Sequence, residues 1–248
     1  MIEILPEKYV SFASAAALTT MLTLIGHNFT SGAKVSNITD IGVANAQTIA
    51  NMKDMTKGEQ ANANFKDKLT GKELLNALKK GGYVIYIRHT QTEKDYADQV
   101  KAVMGNCSTQ RVLSEVGWKQ AKSIGEAFRK YDIPVNKVIS SQYCRAWQTA
   151  DLAFGRYEKN GDLNFPKAED YTPEQVAQMK ARLAPMLTAV PQQGKNTAIV
   201  GHDDLFEAAT GIYPDPQGMA YIIKPDGKGS FELIANMLPK EWKNLDEN

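Results

Sequence analysis

Three short apolar runs, each closing on polar residues at its carboxyl end, constrain this chain more than any other feature. Residues 83–87 (YVIYI) form a continuous, partly β-branched stretch; Val138 and Ile139 make a second, shorter one; residues 197–200 (TAIV) make a third. Unbroken apolar runs of this length are the pattern of strands covered on both faces. Helical patterns lie between them. Thr70 is placed to cap a helix over 71–80 that ends at Gly81 and Gly82, and the folded unit is expected to begin near Leu69. Ser114 caps a second helix reaching Tyr131, whose apolar side carries Ile124, Ala127 and Phe128. Further helices are predicted over 144–154, from Pro173 to about residue 189 with a kink or early end at Pro185, and over 205–210. Residues 219–223 and 231–234 read as strands joined by a tight turn at Asp226 and Gly227. Strands alternating with helices predict an α/β protein: a three-layer α/β/α sandwich around a mainly parallel sheet, with a C-terminal hairpin.

Composition enters the argument by exclusion. The 29 basic and 28 acidic residues nearly cancel, and no block of like charge marks a nucleic-acid partner or an anionic membrane surface. Two cysteines cannot build a disulfide scaffold, and no cysteine or histidine pair has zinc-ligand spacing; no cofactor is named from the composition. Residues 10–25 (VSFASAAALTTMLTLI) are uncharged and follow Lys8, a length that suits the hydrophobic region of a signal peptide better than a helix spanning a bilayer. Residues 1–46 are therefore read as a signal peptide, or alternatively a membrane anchor, with its lead-in. Residues 47–68 read as a flexible linker and 69–248 as the functional domain, exported to the periplasm or beyond the cell. Any membrane association would run through the N-terminal segment.

In open α/β sheets, ligands bind beyond the carboxyl ends of the strands. The first strand end carries Arg88, His89 and Thr90; the second leads through Ser140 and Ser141 into a helix bearing Arg145; the third carries His202, Asp203 and Asp204. Two arginines and two histidines would then face one crevice. Guanidinium groups bind phosphate oxygens through paired, charge-assisted hydrogen bonds. Arg145 would add the positive end of its helix. Imidazole is a competent nucleophile at neutral pH, and a second, protonated imidazole would stabilise the equatorial oxygens of a transferring phosphoryl group.

In their order these residues resemble a known family. Tyr86-Ile87-Arg88-His89-Thr90-Gln91-Thr92 is similar to the Arg-His-Gly-Glu/Gln-Thr signature of the histidine phosphatase superfamily, also called phosphoglycerate mutase-like. The run from Leu113 through Gly117 to Gln120 and Ala121 resembles its Leu-Thr-x-x-Gly-x-x-Gln-Ala motif. The run from Ser140 through Arg145 and Ala146 to Thr149 and Ala150 resembles Ser-Ser-x-x-x-Arg-Ala-x-x-Thr-Ala, and Val200-Gly201-His202 the motif of the second histidine. The resemblance covers about residues 74–235. It implies a metal-independent phosphatase acting on a small phosphorylated substrate, with His89 as the nucleophile that becomes phosphohistidine. Arg88, Arg145, His202 and Thr92 would hold the phosphoryl oxygens beside it. Thr90 replaces the family's usual glycine and puts a side chain close to the site. In the mutase-like branch a glutamate serves as general acid, but Glu158 and Glu169 match no motif. In the acid phosphatase branch the aspartate after the second histidine serves, a position held here by Asp203, with Asp204 and Glu93 behind it.

Each residue also has a structural reading. Asp203 and Asp204 would cap the helix that follows. Cys107 and Cys144 would either form a disulfide clamping their loop to the Arg145 helix or stand as two separate thiols. Tyr96, Trp118 and Trp147 would pack in the core by default, with substrate lining as the alternative. Two further functions compete: a non-catalytic module that binds phosphate or a phosphoprotein, and a phosphoglycerate mutase, for whose substrate-gripping insertion this sequence has no evident counterpart.

Overall fold

The computed structural model describes residues 55–93, 102–167 and 170–247. The N-terminal apolar segment, Tyr96 and Glu169 lie outside these residues. In chain order the elements are α1 (Lys57–Ala63), α2 (Gly71–Lys80), β1 (Val84–Arg88), α3 (Glu115–Lys130), β2 (Val135–Ser140), α4 (Cys144–Phe154), β3 (Glu158–Lys159), α5 (Pro173–Thr188), β4 (Asn196–Gly201), α6 (Asp203–Thr210), β5 (Ala220–Pro225) and β6 (Phe231–Met237). The sheet order is β3-β2-β4-β1-β5-β6. Strands β3, β2, β4 and β1 run parallel, while β5 and β6 close the sheet as an antiparallel hairpin. The expected α/β architecture with a mainly parallel sheet is therefore the observed one.

Alternation along the strands builds a core on each face. Ile85 and Ile87 of β1 point into one cluster with Leu74 and Leu78 of α2, Ile124 and Phe128 of α3 and the alanines of α4. Val84 and Tyr86 point into the other, with Met179, Leu183 and Leu187 of α5 and Leu205 and Phe206 of α6. Both faces are covered by helices, and all five residues of β1 are buried. This explains why its sequence shows no polar alternation.

Three expectations are corrected. The ordered chain starts before Leu69: within the stretch expected as linker, Thr56 forms a capping box with Glu59 and opens α1. That helix is tied to the domain by Tyr213 N–H on the Gly58 carbonyl, by Tyr221 Oη on Asn62, and by Phe65 against the Tyr221 ring. A seven-residue helix has too little periodicity to stand out from a polar sequence; long-range contacts make it. Helix α5 does not end early at Pro185 but continues to Thr188, with Leu187 buried in the last turn. Trp118 is not a core residue: it is 45% exposed on α3. Trp147 stacks on Tyr157 and lies under Lys159.

Candidate active site

The site forms where the carboxyl ends of β1, β2 and β4 meet, and the backbone around His89 is fixed first. Its N–H donates to the Gly201 carbonyl at 3.0 Å, and its own carbonyl accepts from Gly218 N–H at 2.9 Å. The loop beyond it is held by the start of α3. Ser114 caps that helix through Gly117 N–H at 3.1 Å, and Ser114 N–H donates to the Gln91 carbonyl at 2.9 Å. Gln91 N–H in turn donates to Gln120 Oε1 at 3.0 Å. Gly117 is required here, because a Cβ on it would lie 2.0 Å from the Gln91 carbonyl oxygen. The second motif thus positions the loop that carries His89.

His89 is 1% exposed. Its Nδ1 lies 3.0 Å from the Thr90 carbonyl oxygen, which can only accept, so Nδ1 carries the proton. Nε2 is then the lone-pair nitrogen, and Arg145 Nε–H donates to it at 3.2 Å. Burial, reinforced by the positive charge of Arg145, holds the imidazole well below its ordinary range; Thr90 opposes this, and Arg88 and Arg111 add to it. The result is a neutral imidazole with a fixed tautomer, the state a nucleophile needs.

His202 sits 5.5 Å from His89, ring centre to ring centre. Tyr86 of β1 clamps its backbone, accepting from His202 N–H at 2.9 Å and donating to its carbonyl at 2.6 Å. Gly201 makes room for that hydroxyl, since a Cβ there would lie 2.3 Å from it. His202 Nε2 contacts Ser141 Oγ at 2.9 Å, and the same hydroxyl donates to Asn164 Oδ1 at 2.8 Å. This chain of bonds puts the His202 proton on Nε2 and leaves Nδ1 as a buried nitrogen with no partner among the described residues. Burial, then Arg145 and His89, keep this imidazole neutral too, well below its usual range. A bound dianion would reverse that balance and favour a proton on Nδ1.

The other sequence-predicted residues are brought to the same place in different roles. Arg145, 2% exposed, stands in the first turn of α4 and lies over the rings of Tyr143 and Phe165. Arg88 is buried, and its terminal nitrogens are engaged with Asp203 Oδ2 (2.5 Å), Asp215 Oδ1 (2.9 Å) and the Pro214 carbonyl (2.8 Å). Asp203 also accepts from Tyr213 Oη at 2.7 Å. Asp204 instead meets Tyr171, and burial together with the neighbouring Asp203 pushes its carboxyl up to about 6. Thr92 donates both N–H (2.8 Å) and hydroxyl (3.3 Å) to Gln217 Oε1. Thr90, in place of the usual glycine, turns its hydroxyl away to Thr149 Oγ1 at 3.1 Å on α4. Glu158 of β3 pairs at 3.8 Å with Lys137 of β2, both side chains exposed, and Glu93 lies on the pocket wall.

A pocket of about 620 Å³ is lined by Arg88, Gln91, Thr92, Glu93, Arg111 and Gln217 among others, at the loop that follows His89. Sequence reasoning missed Arg111, whose positive charge helps to keep both imidazoles neutral. It also missed Phe165, which packs edge-on against His202 with ring centres 4.7 Å apart. Arg111 lies two residues before the second motif, where a guanidinium beside an anion site was readable. Phe165 lies in an irregular loop and carries no periodic signal. Cys107 and Cys144 form a disulfide with Cα atoms 5.6 Å apart, resolving the two alternatives in favour of the clamp. Among the described residues no cluster of three metal-ligating side chains occurs.

Comparison with known proteins adds a match over part of the chain. Residues 84–160, which include the first three motifs, match the model of the histidine phosphatase superfamily, branch 1. Over these residues the chain is similar to that superfamily, as its motifs led one to expect. No curated protein sequence matches it. Solved structures that resemble it include the protein histidine phosphatase SixA complexed with tungstate, 17% identical over 64% of this chain and 98% of that one, with a TM-score of 0.44. A phosphoserine phosphatase from Entamoeba histolytica is 14% identical over 64% and 98% of the two chains, with a TM-score of 0.46. A mycobacterial glucosyl-3-phosphoglycerate phosphatase is 16% identical over 62% and 97%, with a TM-score of 0.45. In this chain, the histidines and arginines singled out by sequence meet at the carboxyl end of the sheet.

Proposed function

We propose that this protein is an exported, metal-independent phosphatase that hydrolyses small phosphorylated substrates through a phosphohistidine on His89. One observation carries the reading: Nδ1 of a buried, neutral His89 is locked on the Thr90 carbonyl while Nε2 meets Arg145. An arriving phosphoryl group offers its oxygens to Arg145, which releases the Nε2 lone pair for in-line attack. The N–P bond forms as the ester P–O bond breaks, and the leaving oxygen takes a proton. Water then attacks phosphorus, the P–N bond breaks, and inorganic phosphate leaves with Nε2 restored. Arg145, Arg88 and a newly protonated His202 offset the charge on the equatorial oxygens, the task a metal performs in other phosphatases. Thr92 supports the loop from which these groups act. The disulfide supports the assignment to an oxidising compartment. Among the described residues, no helix is long and apolar enough to cross a membrane.

The test is hydrolysis of p-nitrophenyl phosphate with chelator present, by the native protein and by His89→Ala. Turnover that survives the chelator and vanishes in the variant supports the proposal. Equal activity in both proteins removes His89 from the nucleophile's role.

A second reading of the proton donor is favoured by the placement of Asp203. As general acid it must reach the leaving oxygen, yet its Oδ2 is bound to Arg88 and Tyr213. On this reading Asp203 orients Arg88, and turnover is fastest for leaving groups that need little protonation, phosphoramidates included. Asp203→Asn separates the two roles. A loss confined to alkyl phosphates identifies the acid, whereas an equal loss on p-nitrophenyl phosphate identifies the positioning carboxylate.

A further inference from the structure

Beside the pocket lined by Arg88, Gln91 and Thr92 runs a second groove of about 460 Å³. The two share Gln120 and Pro216 as a common wall. Its far side is the C-terminal tail, which is firmly placed. Pro239 is seated on Gly218, whose φ of +87° and missing Cβ allow the approach. Trp242 is fully buried against Phe128, with ring centres 4.9 Å apart. Three lysines line the groove: Lys119, Lys240 and Lys243. Lys119 is paired with Glu115 at 2.5 Å. Lys240 and Lys243 are exposed, and their ammonium groups have no carboxylate partner among the described residues. The nearest acid in sequence, Glu241, turns its carboxylate onto Leu238 N–H at 2.7 Å.

Two unpaired cations on a rigid element, next to a site built for one phosphoryl group, call for a second negative charge on the same molecule. We infer that the substrate carries a second anionic group, a phosphate or carboxylate on its leaving-group side, which Lys240 and Lys243 bind in this groove. The inference rests on the phosphatase reading for which phosphoryl group enters the pocket, but its test does not depend on turnover. Exposed lysines recruit such a group by charge and contribute little to the chemistry at His89, so their effect belongs in binding.

The experiment is calorimetric titration of the full chain with alkane-diol bisphosphates of increasing length and with the matching alkyl monophosphates. It is repeated on the double variant K240Q/K243Q. One bisphosphate length should bind the native protein about five- to tenfold tighter than its monophosphate, as two solvent-exposed charge contacts allow. That advantage should collapse in the double variant while monophosphate affinity is unchanged. The proposal is overturned if no length shows an advantage, if the variant weakens both ligands equally, or if neither ligand binds. If bisphosphates bind as expected but p-nitrophenyl phosphate is not turned over, the catalytic reading fails and the groove assignment stands.

Discussion

At the scale of single residues, burial acts in opposite directions on the two kinds of titratable group at the ends of β1 and β4. It keeps His89 and His202 neutral, because an imidazolium without a counter-anion is poorly solvated there. The same physics works against Asp204, whose carboxyl is raised from 3.8 to about 6 by burial and by Asp203. A raised folded-state value means that folding favours the protonated form. The associated stability is present below the unfolded value and is lost as pH rises through about 6. Asp204→Asn keeps an oxygen for Tyr171 and removes the charge. It should therefore raise Tm at pH 7.5 and leave it nearly unchanged at pH 4, as measured by thermal unfolding. A gain of equal size at both pH values would show that the ionised carboxylate is not the source of strain.

At the scale of elements, the motif around Gly117 shows how a helix start positions a reacting side chain without touching it. Gly117 and Gly125 both lie on α3, and at each a Cβ would meet a carbonyl oxygen at 2.0 Å, that of Gln91 or that of Ala153. Replacing either by alanine should cost stability of about 1–3 kcal/mol through overpacking. Only Gly117→Ala displaces the loop that follows His89, so it alone should also lower kcat/KM, by roughly tenfold or more for a misplaced reacting group. Chemical denaturation and steady-state kinetics on the two variants check this; equal kinetic losses would contradict the positioning role. Five of the six strands, the long helices and both histidines were legible because each has a strong local signal: a continuous apolar run, an amphipathic period, or a polar residue placed at a strand end; the two-residue β3, in a stretch that reads as a loop, has none. Helix α1 was not, because seven residues held by Tyr213 and Tyr221 carry no pattern of their own. Nor were the partners of Arg88 and Asp203. Which carboxylate a guanidinium selects depends on how the loop at Tyr213 to Asp215 folds back, and sequence spacing does not encode that.

At the scale of the whole molecule, the sheet gathers groups from distant parts of the chain, and the Cys107–Cys144 disulfide ties the loop ahead of Arg111 to the helix that presents Arg145. Cys144 N–H is also held by Gln110 Oε1 at 2.8 Å, so the loop retains a second tether when the bond is cut. Closing a 37-residue separation should stabilise the fold by about 2–4 kcal/mol. Cys107→Ser/Cys144→Ser, or reduction of the native protein, should lower Tm by several degrees while part of the activity survives. An unchanged Tm would show that the clamp contributes nothing to stability. The central claim concerns one atom, His89 Nε2, and the most direct measurement looks for phosphorus on it. The native full chain is mixed with p-nitrophenyl phosphate, quenched in alkali during turnover, digested and sequenced by mass spectrometry under conditions that preserve phosphohistidine. The account predicts phosphate on His89 and on no other residue; phosphate elsewhere, or turnover with no phosphorylated peptide, would contradict it.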